Sequence, residues 1–385
     1  MEFNDLINSR TFCILPFVRQ TLWYDGSFKL CCYAGGLEID QAETNSQAFN
    51  TPQLKRIRES FLDNKFPNEC SGCKNLVEQG ITPPSYYETQ GWITDKRKHR
   101  VLPLESTADI LPQMLDIRYS NVCNLKCRTC NPYNSSAIQA EYNKIDIVDS
   151  KFVSGDIKQK HKHNFPNVDE NLFRIYFAGG EPLVEQYNID FLESWHDPDT
   201  DIIINTNLTV LTPYVIKLLE KFNRVTLNVS LDGTGAVNDY IRHGAKFTNV
   251  VNNLKTIEQY TNINVTICYV LNMYNVFNTL DFVTFVRDQF PYIAPYVSIQ
   301  SVVGEPELFL ECLPLELRAE AIRVLEQAIL VSQQNSSVLN DTINILKADY
   351  FNKEGFDNFI KYARILDNLR NENLVDTVPQ YKLYY

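Results

Sequence analysis

Residues 123–130 read Cys-Asn-Leu-Lys-Cys-Arg-Thr-Cys and closely follow a strand-like run, Met114-Leu115-Asp116-Ile117-Arg118-Tyr119. The cysteines have the spacing Cys-x3-Cys-x2-Cys, so their thiolates could hold three irons of a [4Fe–4S] cube. The fourth iron would then have no protein ligand and could bind a small molecule. Taken alone, the spacing is also compatible with a zinc site or with chance.

Composition limits the classes of protein that this chain can belong to. It has 385 residues, a net charge of −11 and a pI near 5.1. The acidic balance disfavours nucleic acid as a partner. No stretch approaches the roughly 20 apolar residues of a membrane span, and the N-terminus does not resemble a signal peptide. Most of the ten cysteines fall into patterned groups, which suits metal binding in a reducing compartment. We therefore expect a cytoplasmic protein with no membrane partner.

The chain divides into four predicted regions. Residues 1–95 form the first region, of which about 1–90 are cysteine-rich and read as irregular apart from one hairpin. Residues 96–112 read as a linker, which begins within the charged run 95–100. From residue 113, apolar strands alternate with helical patterns, which is typical of an α/β fold with parallel strands and crossover helices. We expect a partial (β/α)6 barrel over 113–312 with its site at the carboxyl ends of the strands, and a helical extension over 313–385.

The expected elements of the barrel have definite positions. The strand candidates are Leu115–Tyr119, Phe173–Phe177, Asp201–Asn205, Val225–Ser230, Asn264–Val270 and Val297–Val302. The helix candidates are 134–147, 183–195, 213–223, 248–260 and 276–289, with Thr212-Pro213 as a helix start. The long connection 149–171 contains His161-Lys162-His163, which we read as part of an exposed loop.

Two further strand ends carry polar residues that suit a ligand. The second strand runs into Ala178-Gly179-Gly180-Glu181-Pro182, where glycines permit close backbone approach and the carboxylate can accept from an ammonium group. The fourth strand ends Ser230-Leu231-Asp232, and Arg242 follows twelve residues after Ser230. An arginine fork pairs bidentately with a carboxylate. In isolation, the first group is a weak signal because tight strand-to-helix turns use similar residues, and a turn serine with a surface arginine would be the favoured interpretation of the second.

Together, these motifs resemble the radical S-adenosylmethionine (SAM) enzymes, in particular their SPASM and twitch branch. The resemblance implies that Cys123, Cys127 and Cys130 bind a [4Fe–4S] cluster whose open iron is chelated by SAM. It also implies that the loop of Gly179, Gly180, Glu181 and Pro182 binds the methionine amino group, and that Ser230 and Arg242 contact the ribose and carboxylate. Asn205 and Asn207 stand where family members commonly have a Thr-Asn pair, although a structural turn explains them equally well. Asp232 is a further candidate for cofactor binding, and Asp232 and Tyr240, which are near the SAM loop in sequence, are candidates for the residue that returns a hydrogen or proton to the product. Thr129 departs from the family, which often has an aromatic residue there, so a stacking contact with adenine is in doubt.

A second cysteine group lies near the N-terminus. Cys13, Gly26 and Cys31, with the later Cys70-Ser71-Gly72-Cys73, resemble a twitch domain, which folds a β-hairpin around an auxiliary [4Fe–4S] cluster. Residues 22–30 read as that hairpin, with Asp25-Gly26 at its turn. The module precedes the barrel, as in N-terminal-twitch radical SAM proteins. Cys13, Cys31, Cys70 and Cys73 would saturate the cluster and favour electron transfer or support. Zinc is the rival occupant. Cys32 could replace Cys31, and Cys268 and Cys312 are expected to be buried thiols.

The resemblance implies an enzymatic function. A radical SAM oxidoreductase or modifying enzyme cleaves SAM reductively to a 5′-deoxyadenosyl radical, which abstracts hydrogen from a substrate. A peptide or protein is the first expected substrate, and a small metabolite such as a sugar or nucleoside is the alternative. An electron donor such as flavodoxin or ferredoxin would be a partner. The remaining alternative is a zinc-stabilised adaptor without catalysis, which would have no use for Glu181 and Arg242 at the strand ends.

Overall fold

A computed structural model describes residues 3–24, 27–31, 34, 45–80, 82–94, 106, 109–145 and 172–385. Several sequence predictions fall outside these residues and stay predictions. They are the hairpin turn Asp25-Gly26, the role of Cys32, the charged run at 95–100 and the His161-Lys162-His163 loop.

Seven parallel strands and one antiparallel strand form a single sheet. The strands are β1 (Arg19–Leu22), β2 (Phe28–Lys29), β3 (Met114–Ile117), β4 (Arg174–Phe177), β5 (Asp201–Thr206), β6 (Val225–Ser230), β7 (Ile263–Leu271) and β8 (Val297–Ser301). Their spatial order is β2-β1-β3-β4-β5-β6-β7-β8, and only β1 and β2 pair antiparallel. From β3 onward, each strand therefore lies beside the next one in sequence, and these strands end at one carboxyl edge.

The six strands predicted beyond residue 113 are all observed, with ends that differ by at most two residues. The predicted hairpin is observed as the pairing of β1 with β2, in which Leu22 lies opposite Phe28. Its position was not predicted: β1 also pairs with β3 along its whole length, from Arg19 beside Met114 to Leu22 beside Ile117. The hairpin thus extends the main sheet. The predicted region boundaries at 95, 112 and 312 stay predictions.

Helices occupy much of the remaining described chain. They are α1 (Phe3–Ile7), α2 (Leu15–Val18), α3 (Asn45–Phe49), α4 (Pro52–Leu62), α5 (Ser71–Glu78), α6 (Pro84–Thr94), α7 (Ser136–Tyr142), α8 (Gln186–Ser194), α9 (Pro213–Leu219), α10 (Gly235–Ile241), α11 (Phe247–Ile257), α12 (Thr279–Gln289), α13 (Leu315–Val331), α14 (Ser336–Lys347), α15 (Lys353–Arg370) and α16 (Leu374–Thr377). None of these described helices combines the length and the apolar composition that crossing a bilayer requires.

The expectation that residues 1–90 are irregular was wrong, because the described residues of this region form α1 to α5 and the start of α6. The helix α4 shows why. Thr51 caps it by accepting from the Leu54 backbone N–H at 3.3 Å, and Pro52 occupies the first turn. Its buried residues Leu54, Ile57, Arg58 and Phe61 recur at helical spacing. The expected helix start at Thr212-Pro213 is confirmed in the same terms, since Thr212 accepts from the Val215 N–H at 3.1 Å.

The two faces of the sheet differ in chemistry. In β6, buried Val225, Leu227 and Val229 alternate with half-buried polar residues, as side chains on a strand point to opposite faces. The buried side belongs to the main apolar core with the helices. The other side, called here the polar face, carries Asp116, Tyr176, Asn205, Asn228, Ser230 and Cys268.

Candidate functional site

The cysteine loop, residues 123–130, lies between β3 and α7 at the carboxyl edge of the sheet. Cys123, Cys127 and Cys130 are free thiols and half-buried. A turn brings the Cys130 N–H to 3.2 Å from the Cys127 carbonyl oxygen. The Ser135 hydroxyl donates to the Leu125 carbonyl at 2.9 Å and closes the loop onto the start of α7. The loop is therefore held by its own backbone and by the following helix.

The Gly179-Gly180 turn packs directly against the residues that lead into the cysteine loop. The Gly180 N–H donates to the Ser120 carbonyl at 3.1 Å, and the Glu181 N–H donates to the Val122 carbonyl at 2.7 Å. A side chain at position 180 would place its Cβ 2.5 Å from the Val122 carbonyl carbon. Gly179 has φ of +109°, a conformation that favours glycine. The two glycines thus join two loops of the site, a reason that the sequence did not suggest.

Glu181 lies behind that turn and is 2% exposed. Its carboxylate accepts from the Thr206 hydroxyl at 2.6 Å, the Asn207 N–H at 2.6 Å and the Leu183 N–H at 3.2 Å. Burial raises the pKa of Glu181, and these three hydrogen bonds oppose that shift. A carboxylate has about four acceptor positions, so one is left for a ligand donor. Pro182 follows, and its carbonyl accepts from Asn188 at 3.1 Å.

The two asparagines after the third predicted strand have different surroundings. Asn207 donates to the Asn124 side chain in the cysteine loop at 2.9 Å and accepts from Thr209 at 2.7 and 2.9 Å. Asn205 lies on the polar face, where it donates to the Tyr176 hydroxyl and accepts from Asn228 at 2.8 Å. Asn207 therefore braces the cysteine loop, whereas Asn205 belongs to a polar row across the strands.

Arg242 points from the end of α10 into the cysteine loop. Its Nη1 lies 3.9 Å from the Cys127 Sγ, and its Nη2 lies 2.8 Å from the Asp232 carboxylate. Asp232 is fully buried and accepts from the Val270 N–H at 3.0 Å. Burial alone would lower the pKa of Arg242, but Asp232 and the thiols of Cys127 and Cys130 hold it above its usual value. Asp232 thus positions Arg242. Ser230, at the end of β6, lies in register with Cys268 on the polar face.

The thiols of the cysteine loop strongly favour protonation in the metal-free protein. Burial raises the pKa of Cys127 to about 11 and that of Cys130 to about 12, and it also raises the pKa of Cys123. The neighbouring thiols add to the shift at Cys130, and Arg242 opposes it. Three soft sulfur donors on one loop fit the ligand set of an iron–sulfur cluster.

The four N-terminal cysteines line a separate cavity. Cys13, Cys31, Cys70 and Cys73 are buried around an empty volume of about 490 Å³, which includes its open mouth. Burial and the other three thiols raise the pKa of Cys13, and burial raises that of Cys70 to about 12, with contributions from Cys31 and Cys73. The sequence thus grouped these four residues correctly in space. In the described parts of the chain, no three His, Cys, Asp or Glu side chains are arranged around one metal-ion position.

Chain direction separates this cavity from the cysteine loop. Cys13 precedes β1, which runs parallel to β3, and Cys31 follows β2, which returns toward the start of β1. Both residues therefore lie toward the amino edge of the sheet, whereas the cysteine loop lies at the carboxyl edge. Arg19 lines the cavity and is bound to Asp116 on the polar face. Arg118 also donates to Asp116, at 3.2 and 3.4 Å.

Replacing Asp116 with asparagine is expected to destabilise the protein by about 3–5 kcal/mol, because the buried Arg19 guanidinium and the half-buried Arg118 guanidinium would lose their shared counter-charge. Urea unfolding of the metal-free chain measures this. Asp288→Asn is the control, since Asp288 forms an exposed pair with Arg287 and should leave stability close to that of the wild type. Equal effects of the two substitutions would show that the Arg19–Asp116–Arg118 cluster contributes no more to stability than an exposed ion pair.

A group of charged residues around the cysteine loop was not predicted from the sequence. Arg128 is 3% exposed although it sits between two candidate ligands, and its acidic partners come from the C-terminal segment. The two cations beside Cys127, Lys126 and Arg128, were visible in the sequence. The neighbouring sequence, however, does not indicate which acidic residues pair with them. The polar row was also missed. Polar residues at alternate positions in otherwise apolar strands, such as Asn228 and Ser230, could have revealed it.

Comparison with known proteins gives distant structural similarity only. No protein-family model matches the sequence, and no curated protein matches it. Several solved structures resemble parts of the chain at low sequence identity. anSMEcpe with bound AdoMet and the Cp18Cys peptide shares 16% identity at a TM-score of 0.35, covering 60% of this chain and 61% of that one. Streptococcus suis SuiB bound to S-adenosylmethionine shares 15% sequence identity at a TM-score of 0.37, and the match covers 84% of this chain and 68% of SuiB. SuiB bound to precursor peptide SuiA shares 16% sequence identity at a TM-score of 0.38, and the match covers 82% of this chain and 71% of SuiB. The match thus spans less than two thirds of anSMEcpe.

Proposed function

We propose that this chain is a radical SAM enzyme with a partial barrel, in which Cys123, Cys127 and Cys130 hold a [4Fe–4S] cluster. The supporting observation is the meeting of three elements at one sheet edge: the cysteine loop, the Gly179-Gly180 turn and Arg242. When bound and reduced by a one-electron donor, the cluster would supply one electron to SAM, whose cleavage yields methionine and the 5′-deoxyadenosyl radical, and that radical would take a hydrogen atom from the substrate.

Arg242 is the proposed binding residue for the SAM carboxylate. Its guanidinium is fixed by Asp232 at one end and lies beside Cys127 at the other. Within the described residues, its buried Nε has no hydrogen-bond acceptor. Buried donors are normally paired, so a ligand acceptor at this position fits the site. The free acceptor position of Glu181 and the backbone at Gly179-Gly180 would receive the SAM amino group on the neighbouring loop, and Ser230 would contact the ribose.

Replacing Arg242 with lysine keeps the charge but removes the planar fork. We expect KM for SAM to rise by about tenfold to a hundredfold, as loss of a charge-assisted hydrogen bond costs about 1.5–3 kcal/mol. Iron content should stay within error of the wild type, since Arg242 is not a ligand. Arg287→Lys, at an exposed pair, is the control. A variant with unchanged KM for SAM would remove Arg242 from the proposed binding site.

The N-terminal cavity is the proposed site of an auxiliary [4Fe–4S] cluster in a twitch-like module. Its four thiols fit a cluster with no open iron, so electron transfer or support is the role proposed. Zinc remains the rival because four cysteines also suit that ion. A peptide or protein is the proposed substrate class. The amide and hydroxyl groups of Asn205, Asn228 and Tyr176 on the polar face suit a polar chain of that kind.

Metal analysis and SAM cleavage test the proposal together. After anaerobic reconstitution, iron, sulfide and zinc are counted per chain, and 5′-deoxyadenosine release is measured with dithionite and SAM. About eight irons with SAM cleavage would support two clusters. About four irons, one zinc and cleavage would retain the enzyme but remove the auxiliary cluster. Zinc alone without cleavage would contradict the function and leave a zinc-stabilised adaptor.

A further inference from the structure

The cysteine loop is held from outside by buried charges. Lys126 and Arg128 flank Cys127 in sequence, and both pair with carboxylates outside the loop. The Arg128 Nε donates to the Tyr240 carbonyl at 3.0 Å, and its guanidinium lies 3.7 Å from the centre of the Tyr240 ring. Its Nη2 is bound by two carboxylates, those of Asp367 and, at 2.6 Å, Glu372. One loop residue thus reaches both α10 and the C-terminal segment.

Asp367 is the centre of these contacts. It is 3% exposed at the end of α15. One carboxylate oxygen accepts from Arg128 and from the Tyr240 hydroxyl at 3.0 Å. The other accepts from the Leu374 N–H and the Tyr385 hydroxyl, each at 2.6 Å. Asp367 therefore ties the cysteine loop to α10, to α16 and to Tyr385.

A second bridge reaches the helix that follows the loop. The Arg370 guanidinium donates to Glu141 in α7 at 2.6 Å, and the Lys126 ammonium donates to the same carboxylate at 2.7 Å. The side chains of Arg370 and Glu141 are 1% and 5% exposed. The C-terminal segment thus contacts the cysteine loop on both sides of Cys127: it binds Arg128 directly, and it reaches Lys126 through the shared Glu141 carboxylate.

The same segment also reaches the chain beside Arg242. Glu372 lies 2.7 Å from the His243 Nδ1, next to Arg242 in sequence. The backbone there bonds the loop directly, since the Lys126 N–H donates to the His243 carbonyl at 2.9 Å and the Arg128 N–H to the Ile241 carbonyl at 2.7 Å. Glu372 therefore contacts the loop that would hold the cluster, through Arg128, and also His243, the neighbour in sequence of the arginine that would hold SAM.

We propose that Asp367, Arg370 and Glu372, named here the C-terminal brace, are positioning residues that fix the cysteine loop relative to Arg242. This inference rests on the proposed function. Buried ion pairs are weak stabilisers compared with apolar packing, but their charged hydrogen bonds impose a definite geometry. Such geometry is what a cluster and SAM require if they bind through two separate segments of chain. The C-terminal segment thereby sets the conformation of the site without contacting its ligands.

Hydrogen–deuterium exchange of the metal-free full chain tests the brace before any cluster is loaded. Asp367→Asn and Glu372→Gln are compared with Asp357→Asn, which changes an exposed carboxylate on the helix of Asp367 that pairs with exposed Lys353. We expect exchange in residues 122–131 to speed up by about tenfold in the two brace variants. The control should match the wild type. Glu372 is more exposed than Asp367, so Glu372→Gln remains informative if Asp367→Asn does not fold.

Loading the same variants gives the second readout. The brace variants should retain less iron after gel filtration, show an altered spectrum of the reduced cluster with SAM, and raise KM for SAM by about tenfold to a hundredfold. Unchanged exchange at 122–131 in both folded brace variants would overturn the inference. So would equally faster exchange over the whole chain, which marks general destabilisation. A wild type that binds no iron and cleaves no SAM would instead contradict the proposed function, and the exchange result would still decide whether the brace holds the loop.

Discussion

Cys127→Ser is expected to abolish SAM cleavage, with a loss greater than about a hundredfold. Replacing a group that merely orients a metal ligand costs about 10- to 100-fold, and here a ligand itself is removed. Iron should fall from about eight to about four per chain, because the N-terminal cavity retains its own four thiols. Anaerobic reconstitution followed by iron analysis and 5′-deoxyadenosine measurement gives both numbers.

Cys312→Ser is the matched control for this substitution. Cys312 is also a buried free thiol, and it donates to the Pro306 carbonyl at 3.3 Å, a bond that a serine hydroxyl can keep. Its iron content and SAM cleavage should equal those of the wild type. If Cys127→Ser behaved like Cys312→Ser in both measurements, the cysteine loop could not be the cluster site.

Gly180→Ala is expected to destabilise the protein by about 3 kcal/mol or more and to lower the iron content per chain after reconstitution. The new Cβ would lie 2.5 Å from the Val122 carbonyl carbon and 2.6 Å from the Asn121 carbonyl carbon. Both are backbone atoms, so the clash cannot be relieved by a side-chain rotation, and overpacking of this kind costs about 1–3 kcal/mol or more. The hydrogen bonds that join the two loops would have to lengthen.

Chemical unfolding of the metal-free protein measures that cost, and Gly91→Ala provides the comparison. Gly91 lies in α6, where no described atom outside the helix's own backbone and its chain neighbours comes within 4 Å of an added Cβ. Alanine should therefore be neutral or stabilising there by about 0.5–1 kcal/mol. A Gly180→Ala variant as stable as Gly91→Ala would show that the two loops do not pack as described.

The parts of this fold that were predictable are those with a local signal. The six strands beyond residue 113 were placed correctly because apolar runs such as Val225–Ser230 end at polar turns. The four N-terminal cysteines were grouped by their spacing, and the structure places them around one cavity. The attachment of β1 to β3 was missed, since pairing between strands so distant in sequence leaves no local pattern.

Other features depend on contacts that no local pattern encodes. Arg128 and Asp367 are separated by 239 positions, and each alone is an ordinary charged residue. The role of Gly180 was predicted only in part: close approach was expected, but the neighbour is the backbone of the cysteine loop. Glu181 was expected to face a ligand, yet most of its acceptor positions serve Thr206, Asn207 and Leu183.

Electron paramagnetic resonance of the reduced, reconstituted protein with and without SAM tests the central proposal most directly. An iron with an open position changes its ligand field when SAM binds, whereas a cluster with four cysteine ligands does not. Cys70→Ser/Cys73→Ser removes two N-terminal thiols and isolates the signal of the cysteine loop. We predict that this variant retains a cluster whose spectrum shifts on addition of SAM. A retained cluster signal that SAM leaves unchanged would contradict SAM binding at Cys123, Cys127 and Cys130.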